Sequence, residues 1–178
     1  MKKAALICVT AAVLLAATVF ASSRVFAASR PSSSAASSAV RPCGPHDVAL
    51  YGHVKSLTPK GDHFELRFDP AWFLSGLTAS RANLEDTGSS DVPNDNVVIE
   101  EGHRQFTYLL PAAADITVLS RAGDIPGPGF PSKAITATQL AQLVDGKEPV
   151  DLAESLDSGF WMHVNIDTVC SLHQQYRP

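Results

Sequence analysis

The sequence predicts an α+β domain, mostly β: a small antiparallel barrel or strongly curved sheet with one or two short helices. Three observations point there. Short segments in which every second residue is apolar recur along the chain. Glycine- and proline-rich stretches separate them at close intervals. Two places carry a helix-start signal, each followed by a short apolar run. A barrel would also remove the unpaired edges that so small a sheet would otherwise expose.

The chain opens Met1-Lys2-Lys3, runs apolar over residues 4–20 and reaches Val25-Phe26-Ala27. A charged start, an apolar run and a small-residue site form a secretory signal, expected to be cleaved after Ala27 or one residue later. The competing reading is an uncleaved anchor, because the run is nearly long enough to span a bilayer. Cys8 lies too early, among the wrong neighbours, for a lipoprotein cysteine. Cleavage after Ala27 leaves 151 of the 178 residues, enough for one domain with a real core. The signal takes Lys2, Lys3 and Arg24 from the 14 basic residues and none of the 18 acidic ones, for a mature charge of −7. That balance argues against nucleic acid and against a membrane surface as partners once the signal is gone. Residues 28–42 are rich in Ser and Ala, hold no aromatic, and read as a leader that cannot bury enough to order itself. The expected globular domain is residues 43–178.

Only Cys43 and Cys170 remain after the signal. One remaining pair in an exported protein reads as a structural disulfide. It would close a loop spanning nearly the whole domain and stabilise it by up to about 5 kcal/mol. A redox pair would instead sit close together as Cys-X-X-Cys.

Residues 48–57 and 63–68 form the best hairpin, joined by the turn composition of residues 58–62. Alternation places Val54, Phe64, Leu66 and Phe68 on a core face, and Tyr51, His53, Lys55, His63, Glu65 and Arg67 on a polar one. The Tyr51-Gly52-X-Val54 and Phe64-X-Leu66 strands look like the first hairpin of an oligonucleotide/oligosaccharide-binding-type barrel. Asp69-Pro70 reads as the start of a helix, with Asp as N-cap and Pro at the first helical position. Phe73, Leu74, Leu77 and Leu84 would form its apolar stripe, and Gly76 would weaken it. Residues 86–96 are a loop by composition. Residues 97–101, 105–110 and 115–120 read as short strands, and 121–132 as an irregular loop. Thr136 with Gln139 is a capping box opening a second helix, which Gly146 can end.

Residues 159–176 form the closing hairpin. Phe160, Met162, Val164 and Ile166 alternate with Trp161, His163 and Asn165, and Trp161 breaks the polarity of the second face. A turn at residues 165–168 leads to a strand placing Cys170, Leu172, Gln174 and Tyr176 on one face.

Asp69-Pro70-Ala71-X-Phe73-Leu74-X-Gly76, Val92-Pro93-Asn94-Asp95, Thr107-Tyr108, Val118-Leu119, Phe160-Trp161 and Gln174-Gln175-Tyr176-X-Pro178 resemble a layout found in small secreted bacterial proteins of the actinobacterial kind. The resemblance covers roughly residues 50–178. No activity is established for that group, so it implies export and a single domain and carries no catalytic residue.

Common hydrolase signatures are missing: there is no Gly-X-Ser-X-Gly, Ser-X-X-Lys, His-Glu-X-X-His or phosphate-binding glycine loop. His53, His63 and Glu65 share the polar hairpin face and have the donor types for zinc or copper; a solvated strand face is the plainer reading. Asp86, Asp91, Asn94, Asp95 and Asn96 form an oxygen-rich loop of the kind calcium takes, with no EF-hand spacing. Trp72 and Trp161 have the ring type for stacking a ligand, although aromatics more often fill cores. The expectation is therefore a secreted or envelope-located, non-catalytic module that binds an extracellular ligand, envelope component or protein, with no cofactor. The alternative is an exported hydrolase or metal-binding protein using the His53/His63/Glu65 face.

Overall fold

The computed structural model describes residues 44, 46–100, 102 and 104–177. The signal, the leader and Cys43 lie outside the described residues. In chain order the elements are β1 (Val48–Lys60), β2 (His63–Ser75), α1 (Gly76–Thr87), β3 (Asn96–Ile99), β4 (Phe106–Pro111), β5 (Asp115–Leu119), β6 (Ser132–Ala134), α2 (Ala137–Val144), β7 (Phe160–Asn165) and β8 (Thr168–Gln174).

Five strands close a ring. β1 pairs antiparallel with β2, and β2 with β4. β4 meets β8 in parallel at Leu109 and Thr168, and β8 and β7 return antiparallel to β1. The Leu109 amide donates to Asp167 O at 2.8 Å and helps seal the β4–β8 seam. After a turn closed by Ala114 N to Pro111 O (3.0 Å), β5 continues in parallel beside β8, with β6 outside it. Taking β4 and β5 as one interrupted strand, the ring is a five-stranded curved sheet with α2 between its third and fourth strands. The mostly β, barrel-like expectation holds.

Alternation fills the interior. Leu66 and Phe68 of β2, Leu110 of β4, Val118 of β5, Phe160 and Met162 of β7, and Val169 and Leu172 of β8 are fully buried. Leu140 of α2 joins the same cluster. The helix starts where the capping box predicts: Thr136 Oγ1 accepts from Gln139 N at 3.2 Å, and Gln139 Oε1 accepts from Thr136 N at 2.9 Å. Two bulges rephase the strands. The register steps from Val54–Phe68 to Ser56–Arg67, so Lys55 is extra, and Val54 and Leu57 both pack on the core. It steps again from Val164–Val169 to His163–Ser171, leaving Cys170 as the extra residue. Val169 and Leu172 therefore both face the core, and the expected shared face of Cys170 and Leu172 is corrected.

The helix expected at Asp69-Pro70 is also corrected: β2 runs through it to Ser75. Asp69, Pro70 and Ala71 pair with His53, Gly52 and Tyr51. Pro70 falls between the β4 ladder, which ends at Phe68, and the β3 ladder, which begins at Trp72. A proline is tolerated where one strand edge carries no ladder. Gly76, with φ 58°, turns the chain out of β2 and begins α1 rather than weakening it. Ala79 is the buried residue of α1, whereas Leu77 is 91% exposed. The oxygen-rich loop is held from α1, since Asn83 Nδ2 donates to Ser89 O (2.9 Å) and Asp91 O (2.8 Å). No helix among the described residues is long and apolar enough to cross a membrane.

Candidate aromatic cleft

Strand alternation puts Leu50, Gly52, Phe160 and Met162 toward the core and Tyr51, His53 and Trp161 on the outer face. Tyr51 stands opposite Trp161 on β7 and Ala71 on β2. The Tyr51 ring centroid lies 5.0 Å from Phe73, 5.4 Å from Trp161 and 6.1 Å from His53, and Phe73 lies 5.7 Å from Trp161. These edge-on and tilted arrangements suit ring quadrupoles. β1 and β2 cross so closely at Gly52 that a Cβ there would meet Asp69 O, with Phe68 Cε1 and Pro70 Cα at 2.8 Å. Only glycine fits.

The cluster's polar atoms are engaged. Tyr51 O–H donates to Ser158 O at 2.6 Å, and Trp161 Nε1–H donates to Gln175 Oε1 at 3.0 Å. Burial pushes the Tyr51 phenol above its ordinary value, and Arg177 opposes this in part.

Past the Tyr51–Ala71 pair the β1–β2 ladder ends. Residues 48–50 stay with β7, while residues 72–75 leave with β3. The fork holds a cleft of about 500 Å³ lined by Ala49, Leu50, Tyr51, Pro70, Ala71, Trp72, Phe73, Phe106 and Trp161. Trp72 is 54% exposed and Phe106 47%. Trp72 and Trp161, singled out from the sequence, thus line one cleft. Tyr51, Phe73 and Phe106 escaped sequence reasoning. Tyr51 had been placed on a polar face, Phe73 in a helix, and Phe106 in a short strand of no special character. Tyr51 and Phe73 share the outer phase of their strands with Trp161, whereas Phe106 stands opposite Phe68 in the core-facing phase, so no single sequence period joins them.

The other candidates do not assemble. His53 stands opposite Asp69, and His63 lies six residues earlier on β2, about 20 Å away at roughly 3.3 Å per strand residue. His53 Nε2 is 2.6 Å from Glu100 Oε1, His63 Nδ1 is 2.9 Å from Asp62 Oδ1, and Glu65 faces Lys60 at 3.7 Å. The hairpin spreads the expected His53/His63/Glu65 grouping along its length. Among the described residues no group of three or more His, Cys, Asp or Glu is placed to hold a metal ion. A hollow of about 730 Å³ beside α2, of mixed polar and apolar lining, is flanked by the Arg121–Asp151 ion pair (3.2 Å).

At the start of the domain, Asp47 gathers several partners. Asn165 Nδ2 donates to its Oδ1 at 2.7 Å, the Gly44 amide donates to its Oδ2, and Cys170 Sγ lies 3.6 Å from that oxygen and 3.3 Å from His163 O. Comparisons with protein-family models, curated proteins and solved structures found no match.

Proposed function

We propose that this chain is an exported, non-catalytic binding module whose ligand site is the aromatic cleft between β1 and β2. One observation carries the reading: Trp72 and Phe106 stand half exposed at a concave, apolar site beside the interlocked rings of Tyr51, Phe73 and Trp161. Large exposed aromatics around a cleft are expensive to keep in water and mark binding surfaces. The barrel-like ring adds an analogy only, since such barrels bind ligands of many kinds. Export rests on the Met1–Ala27 signal pattern and on the resemblance to small secreted proteins.

The Cys43–Cys170 disulfide belongs to the same proposal. Cys170 Sγ lies 3.6 Å from the Asp47 carboxylate that the amide of Gly44 also reaches, so Cys170 and the residue that follows Cys43 meet at one side chain. A ligand-observed NMR screen of a fragment library tests the binding proposal. Hits should compete for one site and disappear in Trp72→Ala. Hits that persist unchanged in that folded variant refute it.

A further inference from the structure

Resting on that reading of the cleft, we infer that its ligand is an uncharged molecule presenting an apolar ring, not a sugar. Directed recognition of a sugar needs a partner for each hydroxyl taken from water, because an unpaired buried polar group is costly. The cleft offers few. Among the described residues the lining includes no Asp, Glu, Lys, Arg or His. Of its side-chain donors, the Tyr51 hydroxyl is used by Ser158 O and the Trp161 indole by Gln175 Oε1. Among the described residues, the Trp72 indole is the lining side-chain donor left without a partner.

Charge leads the same way. On the strands beside the cleft, His53 is paired with Glu100 at 2.6 Å and Lys55 with Asp69 at 3.2 Å. An ionic ligand entering the apolar fork would lose water and meet no counter-charge from the described lining; Arg177, whose charge acts on the Tyr51 phenol, stands outside that lining. An apolar ring bears neither penalty. It gains from leaving water and from offset or edge contacts with the Trp72 and Phe106 rings. The cluster behind them is already locked ring against ring at 5.0–5.7 Å, so the ordering in the binding step falls on the Trp72 and Phe106 side chains. The volume of about 500 Å³ lies in the range of small-molecule sites.

The test titrates the whole mature protein with N-phenyl-1-naphthylamine, an uncharged ring probe, and separately with chitohexaose, a neutral oligosaccharide. The probe should bind saturably at one site, and Trp72→Ala and Phe106→Ala should each weaken it at least tenfold. Both positions are half exposed, and a thermal melt confirms that each variant folds. Chitohexaose should give no saturable binding. Trp72-dependent binding of chitohexaose without the probe overturns the ring inference and leaves the cleft a ligand site. Probe binding that neither variant weakens, or no probe binding at all, overturns the inference; the fragment screen then decides separately whether the cleft binds anything. A Trp72-dependent dimer in sedimentation equilibrium assigns the cleft to a second copy and overturns it too.

Discussion

The Tyr51 hydroxyl donates to the Ser158 carbonyl at 2.6 Å, tying β1 to the turn that launches β7. The next residue, Gly159, has φ 82° and ψ 176°, a region open essentially to glycine alone. A Cβ on Gly159 would meet the Tyr51 hydroxyl first and Cζ at 2.7 Å. Tyr51→Phe should cost about 1–3 kcal/mol by orphaning a buried carbonyl. Gly159→Ala should cost about 2–4 kcal/mol through strain and crowding. Phe lacks the oxygen nearest the new methyl, so the double variant should lose less than the sum. Urea unfolding of the four proteins reads the coupling, and strict additivity would contradict the contact.

The closing hairpin carries a second strained position. Ile166 has φ 59° and is 93% exposed, in a two-residue turn where glycine is the usual choice. Its β-branched side chain makes that conformation unfavourable. Ile166→Gly should stabilise the domain by about 0.5–1 kcal/mol, the relief of strain exceeding the added freedom of the unfolded chain. A lower denaturation midpoint would contradict this reading of the turn.

Alkaline pH should weaken the fold. Burial raises the phenol values of both Tyr51 and Tyr108. The folded state therefore holds these protons more tightly than the unfolded chain. Their contribution is fully present below the ordinary tyrosine value of about 10 and is lost as pH rises through the raised folded values. The melting temperature should fall above about pH 10, and less steeply in Tyr51→Phe. An equal fall in both proteins would remove Tyr51 from the explanation.

The expected disulfide has a direct check. The oxidised mature protein, unfolded in denaturant, should show no reactive thiol, and reduction should lower stability by up to about 5 kcal/mol. Two reactive thiols per chain would exclude the bridge.

Local signals were legible and distant ones were not. The Thr136–Gln139 capping box is complete within four residues, and α2 begins there. The alternation of Phe64, Leu66 and Phe68 likewise needed no partner to reveal the core face. Asp69-Pro70 carries an equally good local helix signal, and strand pairing with His53 and Gly52 overrides it. The bulges at Lys55 and Cys170 shift phase by one residue, and their positions depend on which strand lies opposite. The cleft was legible as two isolated tryptophans only. Its remaining rings come from segments far apart in the chain, and the predicted helix had removed Phe73 from the sheet.

The proposed ligand site is the fork between β1 and β2. Two-dimensional NMR of the protein labelled at its tryptophan indoles tests it most directly, because Trp72 and Trp161 are the only tryptophans and both line the cleft. Fragment hits should shift the Trp72 indole signal saturably, shift Trp161 less because its N–H is held by Gln175, and lose affinity in Phe106→Ala. Saturable hits that leave both indole signals unmoved would place the site elsewhere and contradict the account.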